Sequence, residues 1–150
     1  MDEIDKKILR QLQQNAKQNT KEIADKVGLS VSPTYERIKK LEQQGFIVRY
    51  MAILDADKIG KTVKVYCHIS LSNHARELID NFKTTIKDFP EIVACHHVSG
   101  NYDFLLRIAV RDMNEYQRFL IDRLSIIPGI SSVQSTFVLE EVKGDMGYSL

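Results

Sequence analysis

The sequence lacks the features that mark several special classes of protein. No apolar run approaches the ~18 residues that a membrane-spanning helix requires. Only two cysteines occur, Cys67 and Cys95, so we do not expect a secreted scaffold built on disulfides. We expect instead two buried thiols in a reducing compartment. The sequence opens with Met1-Asp2-Glu3, which is acidic where a secretory signal is basic and then apolar. We therefore expect a cytoplasmic protein.

The sequence also lacks an excess of charge of either sign. Its 21 Lys and Arg residues nearly balance its 20 Asp and Glu residues, leaving a net charge of +1. This total argues against a nucleic-acid-binding protein, but the charge is unevenly spread. Residues 1–50 carry a net charge of +3 and residues 51–150 carry −2. The segment over residues 54–61 is polar and ends with a glycine before Lys61, so it can serve as a linker. We therefore predict a first domain over 1–54, a linker over 55–62 and a second domain over 63–150.

Three short helices are predicted in the first domain. The apolar spacing of Ile4, Ile8, Leu9 and Leu12 marks one face of a helix within residues 2–16. Asn19 and Glu22 have the spacing of a capping box that begins a second helix, which Gly28 ends. A third helix is predicted to begin at Ser30-Val31-Ser32-Pro33, where a serine hydroxyl can cap it, and to run to about Gln44. After it, residues 46–54 are rich in β-branched and aromatic side chains, which predicts a strand.

The short glycine-containing turn between the second and third helices is typical of a helix-turn-helix, and the strand would form its wing. The outer face of the third helix would then enter the major groove of DNA. The predicted DNA-binding residues are Ser30, Ser32, Thr34, Tyr35, Arg37, Lys39 and Lys40. The alternative is a solvated charged face, which is what such a charged segment usually means on a helix.

The second domain mixes strands with helices. Strict alternation predicts a strand over 63–71, apolar spacing predicts a helix over 78–89, and a strand over 92–98 follows. Gly100-Asn101 predicts a two-residue hairpin turn into a strand over 104–110. A second helix begins near Asp112, and a last strand is predicted over 131–142. This β-α-β-β-α-β order predicts a ferredoxin-like fold, so the whole chain is of the α+β class.

The last predicted strand is apolar on both faces. Phe137 and Leu139 point one way, while Val138 and Val142 point the other. Because two helices cover only one face of such a sheet, we expect the other face to pack on a second copy of the chain. A homodimer would also supply the two half-sites that a DNA-binding module commonly uses.

The chain resembles the Lrp/AsnC, or feast/famine, family of transcription regulators, and in particular the leucine-responsive regulators. The resemblance spans nearly the whole sequence and depends on the order and spacing of several short motifs. They are Ile4-Asp5 with Ile8-Leu9, Gly28-Leu29-Ser30, Glu36-Arg37-Ile38-Lys39-Lys40-Leu41-Glu42, Gln44-Gly45-Phe46-Ile47, Val98-Ser99-Gly100, Tyr102-Asp103-Phe104-Leu105-Leu106 and Glu140-Glu141-Val142-Lys143.

The resemblance implies a winged helix-turn-helix followed by an amino-acid-sensing (RAM) domain that pairs into homodimers and often assembles into octamers. It also implies a free amino acid as effector, held between dimers. The corresponding residues here are Ser99, Gly100, Asn101, Tyr102, Asp103, Gln134, Ser135 and Thr136. Their chemistry suits such a ligand, because Gly100 permits close backbone approach and Asp103 can accept bonds from an ammonium group. The alternative for this loop is a plain hairpin in which Asp103 satisfies local N–H groups.

Other functions find less support in the sequence. It contains no GxSxG, CxxC, P-loop or GxGxxG motif, so we do not expect an enzyme. Adjacent strand residues point to opposite faces, which makes His96 and His97 a poor metal site; no metal or cofactor is predicted beyond the unidentified amino acid. A metabolite-sensing module that acts only through protein partners is the alternative function. The helix-turn-helix pattern disfavours it, because such a module would leave that motif without a role.

Overall fold

The computed structural model describes residues 1–144 and 147–150. The chain forms two compact units, one of Met1–Ile53 with Val142–Leu150 and the other of Leu54–Glu141. The end of the chain therefore lies with the first unit, which corrects the prediction that 63–150 forms a single domain. The reason is a set of tertiary hydrogen bonds to the first helix. Gln13 donates to the Tyr148 carbonyl over 3.0 Å, and Arg10 donates to the Leu150 carbonyl over 3.0 Å.

The helices described in the first unit are α1 (Glu3–Gln14), α2 (Thr20–Val27) and α3 (Val31–Gln43). Reciprocal hydrogen bonds between Asn19 and Glu22 confirm the predicted capping box of α2, and Gly28 ends that helix with a positive φ of 75°. Asp2 and Asp5 form a second capping box at α1. The apolar faces of the helices meet in one small core, whose buried members are Ile8, Leu9, Ile23, Val27 and Leu41.

Two local predictions for the first unit are wrong. The Ser30 side chain makes no capping hydrogen bond at the start of α3. Residues 46–54 form no strand, and Val48 is 88% exposed. The Phe46 and Ile47 N–H groups instead donate to the Leu41 carbonyl at the end of α3. A strand requires a neighbouring strand for its backbone groups, and β-branched composition cannot supply that neighbour.

The second unit confirms the predicted β-α-β-β-α-β order. Its elements are β1 (Val63–Leu71), α4 (Arg76–Thr85), β2 (Ile92–His97), β3 (Phe104–Val110), α5 (Met113–Phe119) and β4 (Ile130–Phe137). A 3-10 turn at Ile86–Asp88 follows α4, and a π-helical turn at Leu120–Leu124 follows α5. The four strands form an antiparallel sheet in the order β2-β3-β1-β4.

Both helices contribute to the core on one face of this sheet, and the strand alternation decides which residues join them. Val65, Cys67 and Ile69 of β1 are fully buried in that core with Phe82 of α4 and Phe119 of α5. The intervening β1 residues face the other side of the sheet. That outer face is mostly polar and aromatic, and it includes the aliphatic Leu105. Its members come from β1, β3 and β4: Lys64, Tyr66, His68, Leu105, Gln134 and Thr136.

Three further predictions for the second unit are corrected. The β2–β3 connection spans residues 98–103 and is not a two-residue turn at Gly100-Asn101. β4 ends at Phe137, so Leu139 and Val142 lie beyond the strand and are almost fully exposed. Residues 55–61 form a compact turn that belongs to the second unit, in which the Lys61 N–H donates to the Ala56 carbonyl over 2.7 Å.

Across the described ranges 1–144 and 147–150, no helix combines the length and the apolar character needed to cross a membrane.

Candidate DNA interface and amino-acid site

The exposed face of α3 is the candidate DNA interface. Ser32, Tyr35 and Lys39 follow one another at intervals of three and four residues, so they form one stripe along the helix, and Lys40 lies beside it. All four are exposed, as is Ser30 at the start of the helix. The opposite face packs Leu41 into the core of the first unit. This arrangement presents hydroxyl and ammonium groups that can bond phosphates or base edges.

Thr34 does not belong to this face, which corrects its predicted role. It is the one fully buried polar residue among those described, and its hydroxyl donates to the Ser30 carbonyl over 3.0 Å. Position 34 lies on the inward side of the helix, where the hydroxyl is satisfied one turn back along the backbone. Thr34 therefore stabilises the beginning of α3 and is inaccessible to DNA.

Arg37 is committed to an ion pair with α1. One of its guanidinium nitrogens lies 2.7 Å from an Asp2 carboxylate oxygen and 2.7 Å from an Asp5 carboxylate oxygen. These hydrogen bonds raise the pKa of Arg37, Asp5 contributing the most. The pKa of Asp2 is lowered, first by the Asp5 backbone N–H and then by Arg37. Arg37 thus fastens α3 to the capping box of α1, a role different from the predicted DNA contact.

Asp103 is the anchor of the β2–β3 connection. Its backbone N–H donates to the Ile69 carbonyl over 2.8 Å, and its own carbonyl accepts from Val98 over 2.9 Å. One carboxylate oxygen, Oδ2, accepts the Leu71 N–H over 2.7 Å, and the other, Oδ1, lies 2.7 Å from His74 Nε2. The Leu71 N–H is the main cause that lowers the pKa of Asp103. The carboxylate is therefore ionised and held in place at the end of β1.

The remaining residues of this connection form its tip and its contact with β4. Ser99, Gly100 and Asn101 are exposed at the tip, where Gly100 has a φ of 118° that other residues rarely adopt. The Tyr102 hydroxyl hydrogen-bonds to the Gln134 side chain. Two segments that are 30 residues apart in the sequence, both predicted to bind the ligand, thus meet on one face of the sheet.

The predicted trio Gln134, Ser135 and Thr136 is divided between the two faces of β4. Gln134 and Thr136 lie on the outer face, opposite His68 and Tyr66 of β1. Ser135 points toward the helices, where its hydroxyl lies 2.6 Å from the Tyr116 hydroxyl. The alternation of a strand makes this division unavoidable. Ser135 is consequently separated from the Tyr102 side of the site.

Ser135 instead belongs to a small buried network. The Tyr116 hydroxyl also lies 2.9 Å from Cys67 Sγ, so three side chains share their hydrogen bonds between β1, α5 and β4. Burial is the main cause that raises the pKa of both Cys67 and Tyr116. Both groups are therefore neutral at physiological pH. Cys67 and Cys95 are free thiols on strands that β3 separates; Cys67 is buried as predicted, whereas Cys95 is only half-buried.

Two histidines near the candidate ligand site were missed by sequence reasoning. His68 lies under Tyr102, with ring centroids 4.8 Å apart, and its Nδ1 is buried without a hydrogen-bond partner. The alternation of β1 could have placed His68 on the outer face. His74 had no local signal, because its contact with Asp103 depends on how the chain turns after β1. A third histidine, His97 at the end of β2, stacks on Phe104, with ring centroids 4.7 Å apart.

The fold and these sites define a DNA-binding protein with a separate ligand-binding domain. A winged helix-turn-helix DNA-binding model matches residues 1–48, and the Lrp/AsnC ligand-binding domain model matches residues 64–148. The chain belongs to the Lrp/AsnC family of transcriptional regulators. It is a regulator with a DNA-binding and an amino-acid-binding domain, and it is not an enzyme.

Characterised relatives match over nearly the whole chain. The leucine-responsive regulatory protein of Escherichia coli is 37% identical over 143 residues, which cover 95% of this chain and 87% of the relative. The Bkd operon transcriptional regulator of Pseudomonas aeruginosa is 35% identical, with 95% and 93% covered.

A solved structure of a Neisseria meningitidis transcriptional regulator in complex with L-Met is also similar. It superposes with a TM-score of 0.93 at 32% identity, covering 96% of this chain and 93% of that one. An AsnC family regulator from Agrobacterium tumefaciens superposes with a TM-score of 0.91 at 38% identity, with 96% and 94% covered.

Proposed function

We propose that this protein regulates transcription by binding DNA through the exposed face of α3, and that a free amino acid bound at the β2–β3 connection modulates this binding. Two observations carry the proposal: the ionised Asp103 carboxylate is fixed at the end of β1, and the Tyr102–Gln134 hydrogen bond joins the β2–β3 connection to β4. The DNA contacts proposed for α3 are those of Ser30, Ser32, Tyr35, Lys39 and Lys40. Such a regulator acts in the cytoplasm, where bacterial DNA lies.

The proposed effector is recognised by its ammonium and carboxylate groups. Asp103 supplies the acceptor for the ammonium, while the Ser99 hydroxyl and the backbone N–H groups of the Gly100 turn supply donors for the carboxylate. A similar structure contains L-Met, and a relative is named for its response to leucine. These two similarities favour an effector with an apolar side chain. Methionine and leucine are therefore the first candidates for the effector.

We further propose that the protein works as a homodimer that assembles further, up to an octamer. The first unit carries only a small positive charge, so one copy would hold DNA weakly. Several copies on one assembly raise the effective concentration of each DNA-binding unit for neighbouring half-sites. The uncovered outer face of the sheet, with Tyr66 and Leu105, offers a surface for pairing.

The DNA-binding part of the proposal is tested with a DNA fragment from upstream of the protein's own gene. We expect binding whose affinity falls steeply as salt rises from about 50 to about 200 mM, because bound Lys and Arg side chains release counterions from the phosphates. A fragment of equal length from within a coding region is the control, and it should bind less tightly. Absent or salt-insensitive binding to every fragment would contradict this part.

The effector part is tested by thermal unfolding of the full chain with each of the twenty amino acids in turn. A ligand that binds only the folded protein raises the melting temperature, and the rise grows with ligand concentration. We expect a rise with methionine or leucine and a change in DNA affinity with the same amino acid. If none of the twenty raises the melting temperature or alters DNA binding, the effector proposal is wrong.

A further inference from the structure

His74 already occupies the carboxylate that the proposed effector needs. It lies between β1 and α4, and its Nε2 is 2.7 Å from Asp103 Oδ1. The His74 side chain is 74% exposed, whereas that of Asp103 is only 16% exposed. An exposed imidazole on a largely covered carboxylate can swing away at little cost. The pair therefore consists of a largely covered Asp103 carboxylate and an exposed His74 imidazole that can leave it.

Asp103 offers an incoming ammonium group one oxygen in particular. Oδ2 is held by the Leu71 N–H, and the backbone of Asp103 is fixed to Ile69 and Val98. Rotation of the carboxylate away from His74 would break the hydrogen bond from Leu71 to Oδ2. An ammonium that approaches the carboxylate at Oδ1 therefore meets the imidazole there.

We infer that His74 is a further residue of the effector site: in the free protein it takes the place of the effector's ammonium on Asp103, and effector binding displaces it. An imidazolium and an ammonium are both cationic N–H donors, so the same carboxylate oxygen accepts either. This inference rests on the proposed amino-acid site and adds a residue that sets its affinity. No motif of the resemblance includes position 74.

Other charged groups near the pair act less directly on this competition. His97 at the end of β2 lies close enough to contribute to the lowered pKa of Asp103. Arg76, two residues after His74, pairs with Asp80 on α4 over 3.7 Å. Of these three cationic side chains, His74 is the one that hydrogen-bonds to Oδ1 of Asp103.

Because exposed ion pairs are weak, removing the imidazole should raise the affinity for the effector by about two- to fivefold.

The test measures calorimetric binding of L-methionine and L-leucine to the full chain, with the remaining amino acids tried if neither binds. His74→Ala removes the competitor, so we expect it to bind the effector about two- to fivefold more tightly than the natural protein. His97→Gln removes the other nearby histidine and should bind the effector as tightly as the natural protein.

Several outcomes would overturn the inference. Unchanged affinity in His74→Ala would show that the imidazole does not compete. Weaker binding by His74→Ala would make His74 a contact that helps the ligand. An equal gain in affinity in His97→Gln would show that the effect is not specific to His74. Binding of no amino acid by the natural protein would instead refute the proposed effector site itself, and this inference with it.

Discussion

Arg37 and Lys39 carry the same charge two residues apart on α3, yet the structure gives them different surroundings. Arg37 faces α1 and pairs with Asp2 and Asp5, whereas Lys39 is exposed on the stripe with Tyr35. A helix turns by about 200° over two residues, which is why neighbouring cations separate onto opposite sides. Charge in the sequence therefore does not by itself identify a DNA contact.

This difference predicts opposite effects for two substitutions to alanine. Lys39→Ala should leave the melting temperature unchanged and reduce the salt dependence of DNA binding by about one phosphate contact. Arg37→Ala should lower the melting temperature of the DNA-binding unit, because it leaves the carboxylates of Asp2 and Asp5 without their shared cation. The measurements are thermal unfolding and DNA titration over a salt series. If Arg37→Ala keeps its melting temperature but shows a weaker dependence of DNA affinity on salt, Arg37 is a DNA contact after all.

At the scale of the element, the β2–β3 connection depends on one side chain for its shape. Asp103 accepts the partly buried Leu71 N–H. The same carboxylate is proposed to bind the effector, so loss of the side chain would disturb both structure and ligand binding. The two roles can be separated because only one of them requires a negative charge.

Asp103→Asn and Asp103→Ala should therefore differ. Asparagine retains an oxygen for the Leu71 N–H, so we expect near-normal stability together with a lost response to the amino acid. Alanine leaves that N–H unpaired and should lower the free energy of unfolding by about 1 kcal/mol. Denaturant unfolding measures the stability, and the thermal shift with amino acid measures the response. An undiminished response in Asp103→Asn would contradict the ammonium site.

At the scale of the whole molecule, the chain leaves the first unit after Ile53 and returns to it at Val142. Leu54–Glu141 contains the complete sheet and both helices that cover it, with the Lys64–Glu141 ion pair at 2.6 Å. Its core cluster is contributed entirely by residues within these bounds. The sensing unit thus contains the elements needed to fold alone.

A fragment of residues 54–141 should therefore fold, and under the proposed pairing through the outer sheet face it should be a dimer. Circular dichroism with a cooperative thermal transition would confirm folding, and sedimentation would measure its mass against the full chain at the same concentration. A folded monomer would contradict pairing through this face. An unfolded fragment would show that the sensing unit depends on the DNA-binding unit.

How far the sequence predicts the structure differs between the fold and the sites. Helix caps such as Asn19 with Glu22, and the alternation of residues 63–71, are local patterns. The order of helices and strands along the chain follows from such patterns. The failed wing strand, the longer β2–β3 connection and the return of residues 142–150 depend on partners distant in sequence. No local pattern encodes such partners.

The sequence by itself determined the family, the two kinds of domain and the segments that carry the candidate sites, because motif order and hydrophobic period are properties of the chain. Only the tertiary structure decided what individual side chains do. It buried Thr34, paired Arg37 with two aspartates, separated Ser135 from Gln134 and placed His74 on Asp103. The physical reason is that burial and hydrogen-bond partners arise when separate segments meet in space.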